Sequence, residues 1–458
     1  MMQRLCLAVY GGLTWLLQPL VRAKLARRAR AEPLYGQHVD ERFGYYTSSA
    51  AVAAPVHQPA QPLVWLHAVS LGETRAAAIL VAQLRLMVPG MRLLLTHSTA
   101  TGRAEGATLL QAGDKQAWLP WDTVDACQRF LAHFKPRIGV VMETEVWPQL
   151  CAQARATGVP MVLANARLNA RSLRIAQHMS WLAQPAYSSF NTVLAQTQAD
   201  ASRLRALGAP VQEVLGNLKF DAQRDETMWQ QGRAWRTALD RPVVMLAPSR
   251  EGEEALFLQH ILPGKHTEYA QAATKNVANT LLNAQSASHT KLLWLIVPRH
   301  PQRFEKVAQL LQNTGLQVAR RSSWQAAPSA QALQADVWLG DSMREMAQYY
   351  ALADVALLGG SFAPLGGHNL IEAIACDCPV VMGPHTFNFD EAANTAQEQG
   401  AALRVTDMQV GVDKALQLIG QPAEREAMQQ AGRVWLQQSS GTALRTAQVI
   451  AEVLSGAA

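Results

Sequence analysis

Val64-Trp65-Leu66-His67-Ala68-Val69-Ser70-Leu71-Gly72-Glu73 reads as an apolar strand, a turn containing glycine and the first turn of a helix. Residues 74–87 continue it with helical spacing, and a second apolar run follows at 91–96. Strand-length runs alternating with longer amphipathic segments predict βαβ units and a parallel sheet. The alternation continues through expected strands at 63–68, 91–96, 137–142, 161–164, 192–195 and 211–215. A second cycle starts near Arg241, with strands expected at 242–247, 292–297, 337–339, 355–358 and 379–382. The polar, tryptophan-containing stretch 224–241 separates the cycles. The expected fold is therefore α/β, with two Rossmann-like, doubly wound domains around a central cleft and ligand sites at the carboxyl ends of the strands. The expected division is 1–30 as a membrane anchor with a basic flank, 31–225 as the N-terminal domain, and 226–458 as the C-terminal domain with its terminal helices. A polar linker is expected over 48–62, and an extended helix end with a surface loop over 263–290.

The 458 residues carry 41 Lys and Arg against 35 Asp and Glu, a net charge of +6, so no nucleic-acid partner is expected. With 49% hydrophobic and 17% charged residues the chain can bury large cores, which excludes the disordered and fibrous classes. Five cysteines (Cys6, Cys127, Cys151, Cys376, Cys378) form neither a disulfide framework nor a CxxC pair, which fits a reducing cytoplasm. The twelve histidines make no HExxH, and no Asp-x-Asp occurs, so no metal or cofactor is demanded.

Residues 5–21, LCLAVYGGLTWLLQPLV, are uncharged, and Arg22, Lys24, Arg27, Arg28 and Arg30 follow at once. The stretch sits at the short end of a spanning helix, which needs ~17–25 residues, and Gly11, Gly12 and Pro19 interrupt it. A signal peptide would carry its charges before the apolar run, where only Arg4 stands. The basic flank predicts a single N-terminal anchor in the inner membrane, with the body on the cytoplasmic side. An interfacial helix on anionic lipid gives the same side, and a buried core helix is the third reading. Leu34, Tyr35, Phe43, Tyr45 and Tyr46 are either lipid-docking or core residues.

Glu73 at the strand exit suits a general base held rigidly at a cleft, and equally a first-turn carboxylate on the helix dipole. Glu143, in Met142-Glu143-Thr144-Glu145-Val146-Trp147-Pro148, again follows an apolar strand. Lys219 lies in Gly216-Asn217-Leu218-Lys219-Phe220-Asp221. In the second half, Leu357-Leu358-Gly359-Gly360-Ser361-Phe362 runs a strand into glycines, and Gly366-Gly367-His368-Asn369-Leu370-Ile371-Glu372 opens a helix. The glycines and the helix start suit phosphate and sugar recognition, while Asn369 and Glu372 have capping-box spacing that would stabilise the helix without a ligand. Arg299, after Val297-Pro298, stands where it can neutralise a phosphate or carboxylate.

Together these stretches resemble the 3-deoxy-D-manno-octulosonic acid (Kdo) transferases of lipopolysaccharide synthesis. The resemblance rests on HAVSLGE (67–73), METEVWP (142–148), NARLNARS (165–172), GNLKFD (216–221), REGEE (250–254), VPRHP (297–301), GDSMRE (340–345), GGHNLIE (366–372) and MGPHTFNF (382–389), in order along nearly the whole chain. It implies the GT-B fold, with the donor nucleotide on the C-terminal half and the acceptor on the N-terminal half. It further implies inverting, metal-independent transfer of Kdo from CMP-Kdo to the tetraacyldisaccharide lipid A precursor, with no cofactor. Carried over by position, Glu73 is the general base, and Glu143 and Lys219 assist the transition state. Contacts to CMP come from Pro298, Arg299, Met343, Arg344, Glu345, Asn369, Leu370, Ile371 and Glu372. Ser70, Gly72, Arg250, Gly366 and Gly367 are further donor or acceptor contacts. The chain departs from the family at Arg344, where Gly is common, and at Arg250, where His is common. The alternatives are a GT-B enzyme using another activated sugar, a nucleotide-binding oxidoreductase, which the missing GxGxxG opposes, and a lipid-surface scaffold without catalysis.

Overall fold

The computed structural model describes residues 2–46, 61–262 and 292–456. The linker expected at 48–62, apart from Gln61 and Pro62, and the loop expected at 263–290 lie outside the described residues. The chain forms two compact units, one of Met1–Asp221 with Ser439–Ala458, the other of Ala222–Gln438.

The first unit holds β1 (Leu63–His67), β2 (Arg92–His97), β3 (Lys115–Trp118), β4 (Ile138–Met142), β5 (Met161–Ala166), β6 (Thr192–Ala195) and β7 (Val211–Val214). They pair in the order β3-β2-β1-β4-β5-β6-β7, and every described pairing is parallel. Alternate residues of β1 feed opposite cores: Leu63 and Trp65 join Phe130, Leu150 and Leu163, while Val64 and Leu66 join Leu80, Leu84 and Val140. Both faces are thus covered, which explains strands that read as continuous apolar runs. The strand order reverses between β1 and β4, so the exits of these two strands flank the switch point.

The second face of this unit is completed by the last helix, Thr442–Ser455, whose Ala443, Ala447, Val449 and Ile450 lie in the same core as Val64 and Leu66. Its start is capped by Asp221, whose carboxylate accepts from Gly441 N and Ala443 N. This corrects the expected assignment of all terminal helices to the C-terminal domain. A pattern of Ala, Val and Ile spaced for a helix specifies a buried stripe and not which core receives it.

The second unit holds β8 (Val243–Ser249), β9 (Leu293–Pro298), β10 (Val318–Arg320), β11 (Val337–Leu339), β12 (Val355–Leu358), β13 (Val380–Met382) and β14 (Ala402–Arg404). The order is β10-β11-β9-β8-β12-β13-β14, again parallel in every described pairing, with the reversal between β8 and β12. The stretch expected to separate the two cycles is mostly the helix Glu226–Leu239, capped by Asp225 and packed within this unit.

The N-terminal stretch is two helices, Met2–Leu16 and Gln18–Ala29, bent by 46° at Leu17. Pro19, in the first turn of the second helix, sets the new start. No single helix among the described residues is long and apolar enough to cross a membrane. The first helix is bound to its unit: Tyr10 Oη donates to Asp122 Oδ2 at 2.9 Å, Trp121 Nε1 to Thr14 O at 2.9 Å, and Gln149 Nε2 to Leu7 O at 2.7 Å. Gly11 permits this approach, since a Cβ there would meet Gln149 Nε2 at 2.7 Å. Leu5, Val9, Leu13, Leu16 and Leu20 remain exposed. Tyr35 and Phe43 are buried, and Tyr46 packs on Phe130 and Phe134, so these belong to the core, whereas Tyr45 is exposed.

Candidate active site

The turn leaving β1 is held from several sides. Thr99 Oγ1 donates to Val69 O at 2.6 Å, His97 Nδ1 lies 2.9 Å from Ala68 O, and Thr74 Oγ1 donates to Ser70 O at 2.8 Å. Ser70 caps the helix Leu71–Met87 by accepting from Glu73 N at 3.3 Å. In return Glu73 accepts from Val69 N at 2.8 Å and from Ser70 Oγ at 3.1 Å. The Glu73 carboxylate thus does serve the start of this helix. The same carboxyl is pushed from its ordinary 4.5 up to about 7, chiefly by burial and further by the charges of Glu143 and Glu145, against the pull of the Val69 and Ser70 bonds. A carboxylate with that affinity for a proton suits general-base work near neutrality. Gly72 is exposed and a Cβ there would meet only Ser70 Oγ, at 3.9 Å, so space does not demand a glycine.

Glu143 leaves β4 with φ +57 and is 4% exposed. Its carboxylate pairs with Arg167 Nε at 2.8 Å. Glu145, raised by burial, accepts from Trp147 Nε1 at 3.1 Å. Lys219 sits in the 3-10 turn Leu218–Asp221. Side-chain amides hold that turn against the β5 and β6 exits. Asn165 Oδ1 accepts from Leu218 N at 3.1 Å, Asn217 Oδ1 from Lys219 N at 3.1 Å, and Gln196 bridges Asn165 O and Asn217 Nδ2. Glu73, Glu143 and Lys219 thus all leave the carboxyl ends of one sheet. Arg167, Asn165 and Gln196 are supporting residues to which the sequence reading gave no role, although Asn165 and Arg167 lie in the quoted NARLNARS.

In the second unit, Arg250 and Glu253 follow β8, and Gly359 to Phe362 follow β12. Glu253, 0% exposed, accepts from Gly360 N at 2.7 Å, Arg250 N at 2.9 Å and Phe362 N at 3.2 Å. Burial pushes its carboxyl up while these three donors pull it down. This corrects one expectation: two amides of the Gly359-Gly360 loop already serve a carboxylate of the chain itself. Neighbouring Glu254 is bidentate with Arg303, both contacts at 2.8 Å.

Beside this loop stand Arg250 and His368, with Arg299 and His300 close enough to act on His368 electrostatically. His368 is held down to about 3 by burial first, then by Arg299, Arg250 and His300, and His300 is lowered by burial and the neighbouring guanidiniums. Such mutual repulsion marks a concentration of positive charge suited to an anion. Pro298 is the buried last residue of β9. Met343 is half-exposed, and Glu345 accepts from Arg321 Nη2 at 2.8 Å and from Ser342 Oγ. Arg344 has φ +67, the left-handed region that favours glycine.

Asn369 accepts from Ile371 N at 3.2 Å and donates to Glu372 Oε1 at 3.2 Å, so it caps the helix Leu370–Ala375. The Leu370 and Ile371 side chains are buried in the core, which leaves only their main chain to meet a ligand. Gly366 has φ +89, and a Cβ would fall 2.3 Å from Asn388 Nδ2. Gly367 N donates to Gly360 O at 2.8 Å, tying this turn to the loop after β12.

A family model described as 3-deoxy-D-manno-octulosonic-acid transferase (kdotransferase) matches residues 37–222. A 3-deoxy-D-manno-octulosonic acid transferase of Bordetella pertussis is 46% identical over 94% of this chain and 95% of its own length. One of Haemophilus influenzae is 31% identical over 95% and 96%. Among solved structures, Anabaena HepE in complex with UDP matches with TM-score 0.54 at 13% identity, covering 86% of this chain and 100% of that one. A glycosyltransferase from Rickettsia africae matches with TM-score 0.53 at 12% identity, covering 87% and 100%. These two likenesses concern the fold alone, two parallel-sheet α/β units resembling GT-B glycosyltransferases. Sequence relatives spanning almost the whole chain and the two sheets with their strand-exit residues agree: the chain belongs to the 3-deoxy-D-manno-octulosonic acid transferase family of glycosyltransferases.

Proposed function

We propose that the protein transfers Kdo from CMP-Kdo to a sugar hydroxyl of the tetraacyldisaccharide lipid A precursor, with inversion at the anomeric carbon. Glu73 takes the proton of the attacking hydroxyl as its oxygen bonds to the anomeric carbon, and the bond to the CMP phosphate breaks with its electron pair leaving on the phosphate. Arg250 and Arg299 balance the charge that develops on this leaving group, so that the reaction proceeds without a metal. Glu143, set by Arg167, and Lys219, on its amide-held turn, stabilise the transition state at the acceptor. The observation that carries this reading is the Glu73 carboxyl itself, fixed by Val69 and Ser70 and held near neutrality beside two further carboxylates.

The acceptor is an acylated lipid, and we infer that the bent helix pair lies in the membrane surface on the cytoplasmic side of the inner membrane. The exposed row of Leu5, Leu13, Leu16 and Leu20 meets acyl chains while Lys24 and Arg27 meet anionic headgroups. The deciding experiment is transfer by the detergent-solubilised full chain, from CMP-Kdo to the tetraacylated precursor with chelator present and products resolved by mass. Chelator-resistant transfer that is lost in Glu73→Gln is the expected result. Failure of the folded wild type to transfer Kdo overturns the reading.

A further inference from the structure

The loop after β12 presents its main-chain N–H groups at a parallel-sheet exit, a natural seat for a phosphate. Here that seat is filled. Glu253, 107 residues away from Gly360 in sequence, places its carboxylate on Gly360 N at 2.7 Å and on Phe362 N at 3.2 Å, while Arg250 N adds a third bond at 2.9 Å. With 0% exposure and three donors, the carboxylate is a fixed part of the loop. Arg250 and the neutral His368 lie against the same loop: a Cβ on Gly360 would stand 3.3 Å from His368 Cδ2 and 3.5 Å from Arg250 Cγ. Arg303, the other nearby guanidinium, is spent on Glu254.

We propose that Glu253 determines the donor class, restricting this unit to nucleotides with a single phosphate and rejecting nucleoside diphosphates. This rests on the reading of the second unit as the CMP-Kdo site. One phosphate can be met by Arg250 and Arg299. A second phosphate beside the loop would find its amides taken and would face a buried negative charge, a like-charge contact that penalises the wrong ligand more than it helps the right one. The residue acts on specificity by occupying amides and by its charge, and it takes no part in bond making.

The test is calorimetric titration of CMP and of CDP into the full chain in detergent, for wild type, Glu253→Gln and Glu253→Ala, with thermal melting to establish that each is folded. Wild type is expected to bind CMP at least about tenfold more tightly than CDP. In both variants the ratio should shrink to within about threefold, through a gain in CDP affinity. Glu253→Gln keeps the side-chain shape, so it decides the matter if the alanine variant does not fold. Wild type binding CDP as tightly as CMP, or a folded variant with an unchanged ratio, overturns the proposal alone. No binding of CMP to folded wild type overturns the donor reading and this proposal together.

Discussion

Arg167 grips Glu143 at both ends: its main-chain N–H donates to Glu143 O at 3.4 Å, and its Nε meets the carboxylate at 2.8 Å. The carboxylate is nearly fully buried while the guanidinium is half-exposed, so the pair has one desolvated partner. Removing Arg167 strands a buried charge. Arg167→Ala should cost about 1–3 kcal/mol in urea unfolding and, on the proposal that Glu143 acts in the transition state, lower kcat more than it raises the acceptor KM. An unchanged kcat would separate Glu143 from the chemistry.

The pH profile should report Glu73 directly. Only its carboxylate can take a proton, and the carboxyl is held at about 7, so log kcat/KM should rise with pH and level off near there. The stability effect has the opposite sense. Between its ordinary 4.5 and about 7 the folded protein keeps a proton that the unfolded chain has lost, so Glu73 makes the fold less stable as pH rises through that window. Glu73→Gln should abolish the rate limb, flatten this part of the stability profile, and cost about 10²–10⁴ in kcat.

Arg344 is exposed and carries a left-handed backbone that costs a non-glycine residue roughly 1–2 kcal/mol, a little more than glycine's own entropy penalty. Arg344→Gly should therefore leave the melting temperature equal or slightly higher. Loss of donor affinity in that variant would show that the side chain joins the nucleotide pocket.

The bent helix pair predicts a membrane effect separable from folding. Leu13→Glu with Leu20→Glu alters side chains that are 56% and 67% exposed, so melting should shift little. Co-sedimentation with vesicles containing anionic lipid should fall at least about tenfold, since each charge opposes insertion of a previously apolar row. Unchanged sedimentation would exclude this face as the lipid contact.

Ile450 is 0% exposed in the core shared with Val64 and Leu66. Ile450→Ala should destabilise by about 2–5 kcal/mol, and the loss should appear in the unfolding of the first unit. Limited proteolysis that instead opens the second unit first would contradict the assignment of the last helix.

Much of this architecture was readable from residue order. Central strands such as Val355–Leu358 are buried on both faces and therefore announce themselves as apolar runs, and Ser70 with Glu73 announces a helix start. Among the described residues, the three strands outside the expected set, Lys115–Trp118, Val318–Arg320 and Ala402–Arg404, are all sheet edges of three or four residues. An edge strand pairs on one side only and needs no long apolar run. Two amides of the glycine loop after β12 are already taken, because the group that meets them, Glu253, comes from the exit of another strand. Nothing local in Gly359-Gly360-Ser361 distinguishes amides waiting for a phosphate from amides already satisfied. The positive φ of Glu143, at the β4 exit, was likewise hidden, since a glutamate does not advertise a left-handed turn as glycine does.

The interleaving of the chain has a consequence for biosynthesis. The second unit is continuous in sequence, whereas the first lacks a wall of one core until the last twenty residues, Ser439–Ala458, arrive. Those residues follow the whole second unit in sequence, so the unit bearing Glu73 is the one that must wait, half-covered, while the second unit is made. A released chain truncated after Gln438 should therefore present a folded second unit attached to a first unit still open to chaperones, and Glu73 gains its complete surroundings only once Ser439–Ala458 is present.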